Sequence, residues 1–191
     1  VGGDFHPQRL LNAYENGIFP WYIDEYNYIH WFSPQKRMII KPEEMKVSKS
    51  LKKSIFNKGF VIKSNENFEA VMRACSQIKR KHEDSTWINE DFVQAYTNLH
   101  HLDIAFSIEC YLNEELVGGL YGLLIGNIFC GESMFAKVTD ASKVAFYHLC
   151  QQAEENGIKL IDCQVYNDHL ASLGAYEISR EKYFEILNEN I

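Results

Sequence analysis

Polar side chains interrupt two segments that otherwise have the apolar composition of buried β-strands. The first segment carries Glu132, and the second, about thirty residues later, carries the triplet Asp162-Cys163-Gln164. Successive strand residues point to opposite faces, so Asp162 and Gln164 are predicted to project together. An unpaired buried charge costs several kcal/mol, so a carboxylate on such a strand needs a partner or a polar cleft. We expect Glu132, Asp162 and Gln164 to line one cleft.

The charge of the chain is unevenly distributed. Residues 36–81 contain 13 of the 19 Lys and Arg residues but only four of the 26 Asp and Glu residues, although the whole chain has a formal net charge of −7. A basic block within an acidic protein indicates a polyanionic partner, such as nucleic acid, at one face. A solvated helix face with acidic neighbours elsewhere in the fold explains the same pattern, and the charge alone does not decide between them.

The length and composition of the chain restrict the class of protein. At 191 residues with 46% hydrophobic side chains, the chain predicts one full domain plus a small second one. No run approaches the roughly 20 apolar residues of a membrane span, and no signal-peptide pattern opens the chain. The five cysteines lack C-x-x-C spacing, which argues against a zinc site and against a disulfide framework. We therefore expect a cytoplasmic location.

The hydrophobic spacing predicts a mixture of helices and strands. Residues 1–38 are rich in aromatic and turn-forming residues and predict a small N-terminal α/β subdomain, followed by a main domain over residues 39–191. Helices are predicted over 8–16, from Ser48 to Gly59, after an Asn65 cap, after an Asn89 cap, from Asp140 to Asn156 and over 170–174. Strands are predicted over 36–42, 104–112, 116–125, 128–134, 159–166 and 176–186.

The order of the later elements resembles the acyltransferase fold of the GNAT superfamily: three antiparallel strands, a helix, a strand, a small helix and a final strand. We therefore expect an α+β fold with a GNAT-like acyltransferase domain, in which an antiparallel or mixed sheet packs against helices. In the members that use acetyl-CoA, a glycine-rich loop holds the pyrophosphate at a helix N-terminus. The corresponding residues 135–143 contain no glycine, and Asp140 would repel a phosphate. The sequence therefore predicts an acyl donor other than acetyl-CoA.

Short runs along nearly the whole chain carry a more specific resemblance. They are Tyr14-x-x-Gly17-Ile18-Phe19-Pro20-Trp21, Trp31-Phe32-Ser33-Pro34, Thr86-Trp87-Ile88, Leu116-Val117-Gly118-Gly119-Leu120-Tyr121-Gly122, Gly131-Glu132-Ser133-Met134-Phe135, Ala141-Ser142-Lys143, Leu160-Ile161-Asp162-Cys163-Gln164 and Ser172-Leu173-Gly174-Ala175. In order and spacing, from about residue 2 to about residue 187, the chain resembles the leucyl/phenylalanyl-tRNA–protein transferase family.

This resemblance implies an aminoacyltransferase that moves Leu, Phe or sometimes Met from aminoacyl-tRNA to the N-terminal Arg or Lys of an acceptor protein. The product then carries a destabilising N-terminus that marks it for degradation. The resemblance implies no metal or nucleotide cofactor, because the ester that links the amino acid to the tRNA is already activated. The implied partners are aminoacyl-tRNA and acceptor proteins, with no membrane, and we expect a monomer. The donor preference and the cellular targets stay open.

The resemblance also implies roles for the three polar residues. Asp162 would attract the acceptor ammonium group and relay its proton, Gln164 would contact the attacking nitrogen, and Glu132 would help to bind the cationic N-terminus. A neutral amide is a very poor base, so we expect Gln164 to orient the amine as an acceptor and Asp162 to receive the proton. An α-amine has a pKa of about 8, so only weak base assistance is needed. Each residue could instead be a hydrogen-bonded core group.

Further positions match the binding sites of the family. The pocket for the donor side chain would be formed by Leu120, Phe129, Phe146, Leu149 and Ile161. The 3′-terminal adenosine would be held by Tyr14, Trp21 and Trp87. Lys-rich helices over 46–58 and 73–81 would contact the tRNA backbone through Lys46, Lys49, Lys52, Lys53, Lys79, Arg80 and Lys81. Ordinary core packing would also explain Phe146, Leu149 and Trp87.

Two other functions stay open from the sequence. One is a CoA-dependent N-acyltransferase, which the glycine-free loop disfavours. The other is a non-catalytic tRNA-binding module with a vestigial cleft. A thiol nucleophile is not expected, because strand alternation predicts that Cys163 points away from Asp162. His169 is the histidine nearest to the polar triplet, and we interpret it as structural.

Overall fold

The computed structural model describes residues 1–78 and 89–191. The strands are β1 (Phe19–Ile23), β2 (Ile29–Phe32), β3 (Lys36–Ile40), β4 (Val61–Ser64), β5 (Ala105–Leu112), β6 (Glu115–Ile125), β7 (Ile128–Ala136), β8 (Leu160–Gln164) and β9 (Tyr176–Ser179). The helices are α1 (Pro7–Glu15), α2 (Lys49–Asn57), α3 (Phe68–Ser76), α4 (Glu90–His101), α5 (Ala141–Glu155), α6 (Asp168–Ser172) and α7 (Arg180–Asn190). Within these residues, none of the helices has the length and apolarity that a membrane crossing requires.

A mixed sheet forms the centre of the molecule. In the described part of the chain its strand order is β4-β5-β6-β7-β8-β3-β9, and β1 pairs with β2 in a separate two-stranded sheet. Strands β5, β6 and β7 form the predicted antiparallel meander, and β8 then pairs in parallel with β7 after the crossover helix α5. The predicted α+β, GNAT-like order of meander, helix, strand, small helix and strand is confirmed.

Strand β3 has a more central place than the sequence suggested. We predicted residues 36–42 as a strand that connects the two parts of the chain, but β3 lies between β8 and β9 and pairs with both in antiparallel fashion. The predicted subdomain boundary at residue 38 falls inside this strand. Because β3 lies beside β8, its side chains stand next to the polar triplet.

Three local predictions were wrong. Strand β4 was missed, and Asn65 does not cap α3, because its side-chain oxygen accepts the backbone N–H of Ser107 at 2.8 Å and Asn67 occupies the cap position. The predicted last strand ends at Ser179, which caps a helix instead. Tyr183 and Leu187 are both buried and lie four residues apart, which is the spacing of one helix face and decides the structure here despite the strand-like composition.

Helices cover both faces of the sheet. On one face α1, α3, α4 and α7 pack into a core that includes Tyr14, Tyr96 and Tyr121. On the other face α5 and α2 pack into a core that includes Leu120 and Phe129. Adjacent residues of β6, such as Leu120 and Tyr121, therefore belong to opposite faces, as strand alternation requires.

Glycine is required where β6 passes the first turn of α5. A Cβ atom at Gly118 would lie 2.5 Å from the Cβ of Ala141 and 2.8 Å from its backbone carbon. Since the second contact is with backbone, no side-chain rotation can relieve it. The absence of a side chain at Gly118 thus sets how closely α5 approaches the sheet.

We predict that Gly118→Ala lowers the free energy of unfolding by about 1–3 kcal/mol, because the added methyl group overpacks the contact between β6 and α5. Chemical denaturation measures this change. Gly131→Ala, on the adjacent strand, is the control: its Cβ would meet its nearest atom at 3.5 Å, an ordinary contact, so its effect stays within about 1 kcal/mol. Equal effects of the two substitutions would contradict this account.

Candidate functional site

A cavity of about 790 Å³ opens where β7 and β8 stop pairing. The last parallel pair is Cys130 with Asp162, and beyond it the two strands no longer pair with each other. Elements β1, β6, β7, β8, α5 and α6 contribute to the wall of the cavity, and its lining includes Glu132 and Gln164. Two of the three predicted polar residues therefore share one cleft.

β-bulges place the polar residues at this opening. Tyr121 of β6 pairs with Ser133 and the next residue pairs with Gly131, so Glu132 is the extra residue of a bulge in β7. In β8, Cys163 is the extra residue opposite the Met38–Ile39 step of β3. Bulges bend a strand and redirect its side chains, and they are common beside active sites. Here they lie on two neighbouring strands at the same end of the sheet.

Glu132 is held by hydroxyl and amide donors from three elements. The Tyr14 hydroxyl donates to its Oε1 at 2.7 Å, and the Gln164 amide nitrogen donates to the same oxygen at 2.7 Å. The Tyr96 hydroxyl lies 3.4 Å from Oε2 and 2.5 Å from the Tyr14 hydroxyl. Burial raises the pKa of Glu132 to about 7, against the lowering effect of the Tyr14 hydrogen bond. Glu132 can therefore gain or lose a proton near neutral pH.

Gln164 combines an unusual backbone with a directed side chain. Its φ of 64° lies in the left-handed region, which non-glycine residues rarely adopt. Its backbone N–H donates to Asp162 Oδ1 at 2.9 Å. Its amide nitrogen donates to Glu132, so its amide oxygen can accept a hydrogen bond from a ligand in the cavity.

Asp162 does not have the predicted role of a carboxylate that faces the cleft. Its side chain is 0% exposed, and it forms a buried salt bridge with Arg37. Oδ1 accepts the Arg37 Nε–H at 2.8 Å and the Gln164 N–H, and Oδ2 accepts an Arg37 terminal N–H at 2.6 Å and the Tyr183 hydroxyl at 2.9 Å. Two donors on each oxygen use the acceptor capacity of a carboxylate. The structure thus places Asp162 behind the cavity wall, and its predicted role toward the acceptor amine stays a prediction.

Arg37 was not predicted as a site residue. It is 2% exposed, and its third hydrogen bond goes to the carbonyl oxygen of Gly17 at 3.0 Å. Its guanidinium carbon lies 4.7 Å from the Phe19 ring centre and 4.4 Å from that of Tyr183. Burial alone would lower its pKa, but the Asp162 carboxylate raises the pKa above its usual range. An arginine within the apolar run of β3 was the available sequence signal.

The five residues predicted to form the pocket for the donor side chain all line the cavity; these are Leu120, Phe129, Phe146, Leu149 and Ile161. They belong to the core between the sheet and α5, on the face opposite Tyr14 and Tyr96. Met134 also lines the cavity and was missed. The cavity thus joins an apolar slot to a polar end, while the role of the slot in binding a side chain stays a prediction.

The residues predicted to bind the adenosine differ in how far they are exposed. Tyr14 is 1% exposed and its hydroxyl donates to Glu132, and its role in holding the adenosine stays a prediction. Trp21 lines the cavity mouth, is 39% exposed and packs edge-on against Phe32. Trp87 lies outside the described residues.

The basic positions on α2 and before it are accessible. Lys46, Lys49, Lys52 and Lys53 are all exposed. The backbone N–H of Lys46 donates to the carbonyl of Leu173 at 2.8 Å, which places the start of this segment beside α6 of the cavity wall. Lys79, Arg80 and Lys81 lie outside the described residues.

A carboxylate occupies the N-terminus of α5. Asp140 takes the cap position with a φ of 72°, but its side chain does not cap the helix as predicted; it accepts the Ser54 hydroxyl at 2.7 Å. The Ser54 hydrogen bond, assisted by Lys143 and Lys58, lowers the pKa of Asp140. An ionised carboxylate here opposes a phosphate, which agrees with the predicted exclusion of acetyl-CoA.

Two further residues of the cavity wall were interpreted as non-catalytic. Cys163 lines the cavity, and burial raises the pKa of its thiol well above the usual value, so it is protonated at neutral pH. His169 also lines the cavity, and burial lowers the pKa of its imidazole. Its Nε2 is buried without a hydrogen-bond partner among the residues that the structure describes.

Sequence comparisons match nearly the whole chain. The family model described as leucyl/phenylalanyl-tRNA protein transferase matches residues 39–188, and the model of the N-terminal domain of that transferase matches residues 3–35. Three curated proteins named leucyl/phenylalanyl-tRNA–protein transferase are similar. The protein of Flavobacterium johnsoniae is 48% identical over 98% of this chain and 88% of its own length. The protein of Nitrosospira multiformis is 49% identical over 99% of this chain and 81% of its own length. The protein of Shewanella pealeana is 50% identical over 98% of this chain and 78% of its own length.

Solved structures share the fold at much lower sequence identity. The crystal structure of FemX matches with a TM-score of 0.59 and 12% identity, covering 93% of this chain and 70% of FemX. A functionally unknown conserved protein from Staphylococcus epidermidis matches with a TM-score of 0.51 and 12% identity, covering 75% of this chain and 57% of that protein. These likenesses concern the fold alone.

The raised pKa of Glu132 predicts a specific pH dependence of stability. Because the folded state binds the Glu132 proton more tightly than the unfolded state, the resulting stabilisation is complete below about pH 4.5 and is lost as the pH rises through about 7. A Glu132→Gln variant lacks this loss. Its free energy of unfolding relative to the unsubstituted protein should therefore rise by up to about 3 kcal/mol between pH 4.5 and pH 8.5.

Urea denaturation across this pH range measures the difference. Glu154→Gln, at an exposed position of α5, is the control and should show a flat difference. A flat difference for Glu132→Gln as well would mean that Glu132 titrates at its ordinary pKa.

Proposed function

This chain belongs to the leucyl/phenylalanyl-tRNA–protein transferase family, and we propose that its cavity moves Leu, Phe or Met from the 3′ end of an aminoacyl-tRNA to the N-terminal Arg or Lys of an acceptor protein. Aminoacyl transfer from tRNA to protein is the activity for which the family is named. The observation that carries the proposal is one cavity that joins an apolar slot to the pair Glu132 and Gln164.

The apolar slot suits the side chain of the donor. It lies between the sheet and α5, where Leu120, Phe146 and Leu149 offer carbon surface to a Leu, Phe or Met side chain. A hydrophobic pocket separates such side chains by roughly 1–3 kcal/mol per methylene group. Trp21 at the mouth presents an accessible ring to the terminal adenine, and stacking of this kind contributes about 1–3 kcal/mol per base.

The polar end of the cavity suits the acceptor. The α-amine of the acceptor attacks the ester carbonyl carbon of the aminoacyl-tRNA, with the amide oxygen of Gln164 orienting an N–H of the amine. Glu132, with a pKa of about 7, accepts the proton that the amine loses. The C–N bond forms, the ester C–O bond breaks, and the leaving 3′-oxygen takes the proton from Glu132. Glu132 thus replaces Asp162 as the predicted destination of the proton.

Acceptor selection rests on charge. An N-terminal Arg or Lys brings a positive side chain beside its α-ammonium group, and ionised Glu132 attracts both. Asp162 is already paired with Arg37, so the charge of Glu132 is the one that an incoming acceptor meets among the described carboxylates of the cavity wall. A protein modified in this way carries a new hydrophobic N-terminus, which we propose marks it for degradation.

We predict transfer of labelled Leu, Phe or Met from charged tRNA to an Arg-initiated peptide and much weaker transfer to an otherwise identical Ala-initiated peptide. Glu132→Gln should reduce transfer to the Arg-initiated peptide by about 100-fold at pH 7.5, because no proton acceptor remains beside the amine. Glu154→Gln serves as the control and should keep full activity. Tight tRNA binding by the unsubstituted protein without any product would contradict the proposal, and transfer from acetyl-CoA would replace it with another activity.

The lysines of α2 suit the phosphate backbone of the tRNA. Reversing two of them with Lys52→Glu and Lys53→Glu should weaken aminoacyl-tRNA binding and reduce the slope of log affinity against log salt by roughly one to two units. Fluorescence anisotropy over a salt series measures both quantities. Lys159→Glu with Lys182→Glu makes the same change of charge at exposed positions elsewhere and should preserve the slope. An unchanged slope for the α2 variant would place the tRNA on another surface.

A further inference from the structure

The buried ion pair of Arg37 and Asp162 lies directly behind the polar end of the cavity. Arg37 donates two hydrogen bonds to Asp162, at 2.8 and 2.6 Å, and Asp162 in turn accepts the backbone N–H of Gln164 at 2.9 Å. Gln164 then donates its amide to Glu132 at 2.7 Å. A continuous series of short hydrogen bonds thus leads from β3 to the carboxylate in the cavity.

The backbone of Gln164 needs this support. A left-handed φ of 64° is unfavourable for a residue with a side chain and persists only where the surroundings hold it. Its backbone is supported by the hydrogen bond from its N–H to Asp162 and by its pairing with Met38 of β3. Asp162 itself is fixed by Arg37 and by the Tyr183 hydroxyl, so the orientation of Gln164 depends on the position of the guanidinium group.

The position of Arg37 is also fixed from outside the central sheet. Its remaining hydrogen bond goes to the carbonyl of Gly17, just after α1, and its guanidinium group lies between the rings of Phe19 and Tyr183. Phe19 itself lines the cavity. Arg37 therefore connects the N-terminal segment, α7 and the polar end of the cavity without reaching the cavity.

We propose that Arg37 is a positioning residue for the transfer reaction: through Asp162 it holds Gln164 in the left-handed conformation that aims its amide at Glu132. This inference rests on the proposed function, because the orientation it explains matters only if Gln164 and Glu132 handle the acceptor amine. In this proposal Asp162 supports the site and does not contact the substrate.

The first test is a pair of substitutions with opposite effects on Glu132. The groups that face Glu132 are the Tyr14 and Tyr96 hydroxyls and the Gln164 amide, with the charges of Asp162 and Arg37 behind them. Arg37→Met leaves the negative charge of Asp162 uncompensated, and Asp162→Asn leaves the positive charge of Arg37 uncompensated. The acidic midpoint of the pH–rate profile should therefore rise in the first variant and fall in the second, each by at least about half a pH unit.

Both variants should also lose turnover by about 10- to 100-fold, while the KM for aminoacyl-tRNA changes less than about threefold, because the amine and not the donor is misplaced. Lys36→Met, at the adjacent exposed position of β3, is the control and should keep both the turnover number and the midpoint. A general loss of folded protein would scale all rates and leave the midpoints in place. Midpoints that stay fixed or move in the same direction would overturn the proposal.

The second test uses milder substitutions, for the case that Arg37→Met or Asp162→Asn fails to fold. Arg37→Lys retains the charge but cannot form the two parallel hydrogen bonds to Asp162, so turnover should fall by about tenfold with the midpoint retained. In a Gln164→Ala background the same substitution should cost less than about twofold, because the group through which Arg37 acts is gone. Full turnover for Arg37→Lys, or an equal loss in both backgrounds, would show that Arg37 does not act through Gln164.

Failure of this inference is distinguishable from failure of the proposed function. If the unsubstituted protein transfers no amino acid to an Arg-initiated peptide, the function itself is wrong. If it does and the Arg37 variants follow the control, the function stands and Arg37 is only a structural residue.

Discussion

The buried Asp162 carboxylate is the constraint on which the site depends. A charge without contact to water is tolerated only when it is paired and its oxygens are fully hydrogen-bonded, and Asp162 meets this condition through Arg37, Tyr183 and the backbone of Gln164. These partners come from β3, α7 and β8. The single carboxylate therefore fixes how three elements meet, and it does so next to the place where β7 and β8 separate.

The pairing of Asp162 with Arg37 gives Asp162 and Glu132 different surroundings. A guanidinium group lies against Asp162, whereas neutral donors surround Glu132, and burial raises the pKa of Glu132 to about 7. One carboxylate thus accepts the backbone N–H of Gln164, and we propose that the other exchanges a proton with a ligand in the cavity. The difference follows from environment, since both residues lie near the point where β7 and β8 stop pairing: Asp162 is in the last pair, with Cys130, and Glu132 lies two residues beyond Cys130.

Part of this arrangement could be predicted from the sequence. The meander, the crossover helix and the α+β class follow from periodicity and turn residues, because they depend on local pattern. The residues of the apolar slot were predicted from the resemblance to the family and not from periodicity. The role of Asp162 could not be predicted, because strand alternation places it beside Gln164 but carries no information about Arg37, 125 residues earlier. The two bulges and the left-handed backbone of Gln164 also could not be predicted, because a period-two pattern assumes regular strands. The hydrogen bond from Tyr14, a position that the resemblance assigns to the adenosine site, to Glu132 could not be predicted either, because the two residues are 118 positions apart.

The end of the sheet also explains how one fold can accept a different acyl donor. The N-terminus of α5 would suit a pyrophosphate, but Asp140 occupies it and is held there by Ser54 and Lys58. Gly118 allows the close approach of β6 to α5 at the same turn. We propose that a donor with a charged backbone is held by other groups, namely the exposed lysines of α2 and Lys46 before it, whose backbone N–H donates to Leu173 at the end of α6. In this proposal, phosphate recognition by side chains on a separate helix, and not by a helix terminus, lets a large nucleic acid stay outside while its aminoacyl end enters the slot.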